Sequence, residues 1–269
     1  MKILFEYSQG CTKHINQDAY GHNDNIFWVI DGATEVFENN CLSSLGDVYW
    51  VVQTLNKKLK EGNTLLPLKD FVGEAISKMY EMAVEVSPSI TEIPINVLPT
   101  YAICCIRCMD SYLEYFFLGD CSLFVSHTPD IRYTDNRIEP FHLQVNAVKE
   151  QYKDNVDLYR SEVLKKVREI KKYINAESGY WIGTFDASIA SHAIVGKVDI
   201  RVGDHILLCT DGFRPSLDEA NLFEYNPLDI FYKKSLQSII TKQNKAELKH
   251  FMETGIDIAD DKTIVLIQI

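Results

Sequence analysis

The chain has 269 residues, room for one large domain or two small ones, with 46% hydrophobic and 24% charged residues, the balance of an ordinary globular protein. A formal net charge of -11 argues against nucleic acid as a partner, because a phosphate backbone demands a basic face. No apolar run approaches the roughly 18 residues of a membrane span, so no membrane partner is expected.

The opening stretch Met1–Tyr7 is too short an apolar run for a signal peptide and reads as a strand over 2–8. A second strand is expected over 25–31, ending in Asp31-Gly32. Helical spacing of Leu42, Leu45, Val48, Val52, Leu55 and Leu59 predicts a helix over 41–61, and Phe71, Ala75, Ile76, Met79 and Ala83 predict another over 67–86. Pro88, Pro94 and Pro99 interrupt regular structure before strands at about 100–109, 112–119 and 122–127. A charged helical stretch follows over 147–175, basic in its second half. Strands at about 192–201 and 204–209 come next, joined at Val202-Gly203-Asp204. Helices over 216–223, 227–241 and 244–254 and a last strand over 262–269 complete the order. Antiparallel runs with paired helices indicate α+β layers, and one domain with an insertion at 147–175 is the simplest organisation. Seven cysteines, an odd number with several in apolar strands, fit free thiols in the cytoplasm. Cys105-x-x-Cys108 lies inside a strand with no second pair, so small buried side chains are its plain reading.

Four acidic islands sit at strand edges: Asn16-Gln17-Asp18, Asp31-Gly32, Thr210-Asp211-Gly212 and Asp260-Asp261-Lys262-Thr263. Each alone is an ordinary turn. Together they describe carboxylates gathered at one place, which resist ionisation unless a counter-charge is present. Oxygen-rich sets of this kind suit Mg2+ or Mn2+. Asp31, Asp211 and Asp260 are therefore the candidate ligands, and a pair of such ions would polarise a phosphoryl group and activate water.

The ordered set, with Gly119-Asp120 between the second and third islands, resembles the metal-dependent type-2C Ser/Thr protein phosphatases, the PPM superfamily, in a divergent bacterial-type branch. The resemblance spans nearly the whole chain. It implies a four-layer α-β-β-α sandwich of two antiparallel sheets flanked by helices, and a binuclear Mn2+ or Mg2+ centre at one end of the sheets. It also implies phosphomonoester hydrolysis on a phosphorylated protein. On that basis Asp31 would bridge two ions and Gly32 would offer its carbonyl. Asp211 and Asp260 would complete the first site, Asp18 would act through water, and Asp120 would serve a third ion. Lys13 stands where relatives place a phosphate-binding arginine, and lacks its bidentate fork. Ala33-Thr34-Glu35 follows the Asp-Gly unit where relatives have glycine or histidine, and Pro215 replaces a common acidic residue. Two rival readings follow from these departures: a catalytically weak, phosphoprotein-binding regulator, or a phosphatase of a small metabolite. The basic half of 147–175 is read as a solvated face, or more sharply as a docking helix beside the cleft.

Overall fold

The computed structural model describes residues 1–12, 14–33, 37, 40–213 and 226–269. Among the described residues, nine strands build two antiparallel sheets. The first carries β1 (Lys2–Gln9), β9 (Lys262–Gln268), β8 (His205–Cys209) and β6 (Ser122–Val125) in that order. The second runs β2 (Ala19–Asn23), β3 (Ile26–Gly32), β4 (Tyr101–Cys108), β5 (Tyr112–Leu118) and β7 (Ile194–Asp199). Helices α1 (Asp47–Lys60) and α2 (Leu68–Val86) cover the second sheet, and α5 (Lys233–Thr254) covers the first. This is the four-layer α+β sandwich expected from the sequence.

The two-residue period of each strand explains the layering. On β3, Phe27 and Val29 enter the core between the sheets, while Ile26, Trp28 and Ile30 pack under α1 and α2. On β8 and β9, Ile206, Leu208, Val265 and Ile267 face the other sheet, and Leu207, Ile264 and Leu266 meet α5. Strands buried on both faces read as unbroken apolar runs, as Ile26–Ile30 and Ile264–Ile267 do. The cysteines follow the same rule. Cys104 and Cys105 are fully buried on opposite faces of β4, so the Cys-x-x-Cys spacing is core packing.

Where the structure departs from the expected elements, local chemistry explains it. The β2 strand was not anticipated, because five residues with Gly21 and His22 carry little apolar pattern. It pairs with β3 as a hairpin whose turn places Asp24 at φ 53°, a conformation that Asp tolerates. Helix α1 begins only at Asp47, whose carboxylate accepts the N–H groups of Cys41, Leu42 and Ser43 and holds 41–46 as a loop. The expected helix over 147–175 is two helices, α3 (Glu139–Tyr152) and α4 (Val156–Ile170), divided where the Asn155 side chain caps the N–H of Leu158. The expected helices over 227–241 and 244–254 are a 3-10 turn at Pro227–Phe231 and the continuous α5, which ends at Gly255 with φ 72°. The predicted helix over 216–223 lies outside the described residues.

Helices α3 and α4 pack on a small apolar cluster formed by Ile138, Ile170, Ile174, Tyr180 and Ile182, with Ala33 and Phe141 at its margin. That margin brings them beside the end of β3. On α4, Lys165 and Lys166 pair with Glu162 and Glu169 one turn away, so the basic run is interleaved with its own counter-charges.

Candidate metal centre

All four acidic islands and Asp120 converge at one end of the two sheets. Asp31 is the last carboxylate of β3, and continuing its inward alternation places it at the mouth of the inter-sheet core. Asp18 stands just before β2, next to the Ala19–Ile30 pair of the hairpin. Asp211 follows β8, Asp260 precedes β9, and Asp120 lies in the turn between β5 and β6.

Short hydrogen bonds lock these loops together. The Asp211 N–H donates to Asp31 Oδ2 at 3.2 Å. Thr210 Oγ1 donates to Asp18 Oδ2 at 2.7 Å and accepts the Thr263 N–H at 2.9 Å. One threonine hydroxyl thus ties the first, third and fourth islands. Asp261 accepts the N–H groups of Cys11 at 2.7 Å and Gln17 at 2.6 Å, fixing the loop before Asp18. The close approach requires glycine: a Cβ on Gly212 would lie 1.8 Å from the Asp261 carbonyl oxygen, and one on Gly32 2.6 Å from that of Gln17.

Charge is concentrated here without a matching cation among the described side chains at its centre. Burial is the first cause that pushes the Asp31 carboxyl well above the usual range, and the charges of Asp211, Asp18, Asp120 and Asp260 add to it. Asp18 is raised by burial first; its bond from Thr210 opposes the shift, and Asp261 and Asp211 reinforce it. Asp120 is pushed up to about 6 by burial and by Asp211, with His142 and Arg132 opposing. The Asp18 Oδ1 atom is buried and has no hydrogen-bond partner among the described residues. A buried carboxylate oxygen left unpaired is costly, and a divalent cation or its water satisfies it directly. The donor set is all oxygen, which fits Mg2+ or Mn2+.

Asp18, Asp31, Asp120, Asp211 and Asp260 are therefore brought together. Lys13, Thr34, Glu35 and Pro215 lie outside the described residues. Sequence reasoning passed over three contributors. Thr210 looks in the sequence like a mere neighbour of Asp211, though its hydroxyl is the junction of three loops. His142, on α3, places Nε2 3.6 Å from Asp120 Oδ2, a tertiary contact with no sequence signal. Gln243 on α5 donates to the Gly212 carbonyl at 2.7 Å and to Glu247 at 2.9 Å. Its signal was available: the buried stripe Leu236, Ile239, Ile240, Gln243, Glu247 turns from apolar to polar on one helix face.

No protein-family model and no curated protein matches the sequence. Solved structures do. The S. agalactiae serine/threonine phosphatase superposes with a TM-score of 0.57 at 10% identity, covering 98% of each chain. The Mycobacterium tuberculosis serine/threonine phosphatase PstP/Ppp gives 0.55 at 14% identity, over 100% of this chain and 99% of that one. The chain has the fold of these phosphatases. The catalytic domain of the serine/threonine protein phosphatase PstP in complex with two manganese ions gives 0.53 at 14% identity, over 97% of this chain and 96% of the other. The fold is thus shared across nearly the whole length at 10–14% sequence identity.

Proposed function

We propose that the chain is a Mn2+- or Mg2+-dependent phosphomonoester hydrolase of bacterial type, acting on phosphoserine or phosphothreonine in a protein. The observation that carries this reading is the buried Asp31 carboxylate, surrounded by four further acids, with Asp18 Oδ1 left without a hydrogen-bond partner among the described residues. In this reading Asp31, the Gly32 carbonyl, Asp211 and Asp260 would hold the metal ions, Asp18 would assist through water, and Asp120 would serve a third ion. When bound, such ions would supply the charge that keeps these carboxylates ionised and would lower the pKa of a bound water. The chain's own part is preorganisation. Thr210 holds the Asp18 carboxylate in one rotamer, the Asp211 N–H holds that of Asp31, and Asp261 fixes the loop bearing Asn16 and Gln17. Lys13 takes the phosphate as a point charge. His142 stands beside Asp120 and can move a proton at the edge of the site.

The described residues form no helix long and apolar enough to cross a membrane. All seven cysteines are free thiols, which supports a reducing, cytoplasmic setting. We read the chain as one domain with α3 and α4 as its insertion. The test is hydrolysis of p-nitrophenyl phosphate and of a phosphothreonine peptide with added Mn2+. Activity lost in EDTA and in Asp31→Ala and Asp211→Ala supports the reading. Turnover that persists through EDTA and Asp211→Ala refutes it.

A further inference from the structure

Beside the oxygen-lined centre stands a second set of donors of different chemistry. One donor atom from each of Cys11, His14, Asp260 and Asp261 lies within 4.8 Å of the others. The Cys11 Sγ atom is 3.6 Å from His14 Nε2. Zinc bonds of about 2.3 Å to sulfur and about 2.0–2.1 Å to nitrogen, at a tetrahedral angle, place S and N roughly 3.5 Å apart. The thiol and imidazole already have that separation.

The ring is also oriented for ligation. His14 Nδ1 sits 2.8 Å from the Ile15 carbonyl oxygen; donating its proton there leaves Nε2, the atom nearest sulfur, with the lone pair. Asp261 is fixed by the N–H groups of Cys11 and Gln17, one on each oxygen, and each oxygen keeps a second lone pair. Its Oδ2 lies 3.7 Å from His14 Nδ1, the far side of the ring, so ligation through Nε2 rests on the mutual 4.8 Å spacing of the four donors. Sulfur and nitrogen donors select borderline-soft ions, whereas the all-oxygen group around Asp31 selects hard ones. The two positions therefore differ in the metal they prefer, and only the second would give a bound ion a thiolate ligand.

We infer that Cys11, His14 and Asp261 form a second divalent-cation site, for an ion of the zinc class, which staples the 11–17 loop to the segment entering β9. Asp260, the residue before Asp261, is left to the Asp31 centre, and water completes the second site. The claim concerns binding and stands apart from the phosphatase reading, so its failure leaves that reading untouched.

Co2+ is the probe, because a thiolate ligand gives it an intense charge-transfer band that oxygen ligands do not. The full chain, reduced and held in excess Mg2+, should take up one equivalent of Co2+ with that band, and Zn2+ should displace it and raise Tm. Cys11→Ser should abolish the band and weaken Zn2+ binding by at least about tenfold, as loss of a ligand or its support does. His14→Gln should weaken it similarly. Cys41→Ser and Asp31→Asn should keep the band; Cys41 is the other thiol that is not buried. Far-ultraviolet circular dichroism identifies any variant that fails to fold, and the isosteric Cys11→Ser then decides alone. Cobalt bound without the band, or a band that survives Cys11→Ser, overturns the proposal.

Discussion

Lys262 Nζ reaches Glu247 Oε2 across 2.8 Å with both side chains buried, one residue beyond the Asp260-Asp261 pair. The same ammonium donates to the Asp260 carbonyl at 3.1 Å, and the other oxygen of Glu247 accepts from Gln243, which also holds the Gly212 carbonyl. Helix α5 therefore grips both loops of the first sheet that enter the carboxylate group. The polar tail of its buried stripe is where the packing layer becomes the support of the site.

Breaking that pair should be expensive. Glu247→Ala leaves a buried ammonium without its partner, and a loss of about 3–5 kcal/mol is expected. Thermal or urea unfolding measures it. The double replacement Glu247→Leu, Lys262→Met should recover most of the stability, because it removes both charges together. Its Mn2+-dependent activity should stay depressed, since the Asp260 carbonyl is no longer held and Gln243, which holds the Gly212 carbonyl, has lost its Glu247 partner.

Asp31→Asn should have opposite effects on stability and activity. In EDTA the wild-type site carries mutual repulsion and a desolvation cost at Asp31, both relieved by the neutral amide. The metal-free variant should therefore melt higher than the metal-free wild type, by several degrees. Mn2+-dependent hydrolysis should vanish, and the rise in Tm expected from Mn2+ in wild type should be lost.

The metal-free protein should lose stability as pH rises through the acid range. A carboxyl with a raised folded-state pKa binds its proton more tightly when folded, so it favours the fold at low pH and the contribution disappears as pH climbs to that value. For Asp120 the window runs from the ordinary value of 3.8 to about 6, at most about 3 kcal/mol. Asp31 and Asp18 shift in the same direction. Urea midpoints in EDTA between pH 4 and 7 should fall, and Asp120→Asn should flatten the slope.

Two glycines should respond in opposite senses to alanine. At Gly212 the new Cβ would meet the Asp261 carbonyl oxygen at 1.8 Å, so the loops must separate, with a loss of about 2–4 kcal/mol and of activity. At Gly73, inside α2, the nearest atom is Ala190 Cβ at 3.7 Å, ordinary contact, and helix propensity should raise stability by up to about 1 kcal/mol.

The sequence disclosed the layers because their period is strong: Ile26–Ile30 and Ile264–Ile267 can only be doubly buried strands, and α2 shows an uninterrupted stripe. It also disclosed the carboxylates, since each adjoins such a strand. It did not disclose what steadies them. The Asp18–Thr210 bond spans 192 positions and that of Thr263 to Thr210 another 53, distances over which pattern carries no information. His142 and Asp120 meet only because α3 folds back over the end of β3. The helix boundaries failed for a different reason: Asn155 and Asp47 act through side-chain bonds to the backbone that hydrophobic spacing cannot register.

The hairpin of β2 and β3 has a further consequence. Its turn at Asp24-Asn25 lies about 17 Å from the carboxylates, five residues of extended chain away. Yet Asp18 and Asp31 are the next pair beyond Ala19 and Ile30, so the length of that remote turn decides whether the two acids face each other at all. One inserted residue there, slipping β3 by a single position, would turn Asp31 toward α1 and bring Ile30 to the mouth of the core. The most distant point of the hairpin is thus a ruler for the chemistry, and a change there that touches no ligand would erase the site.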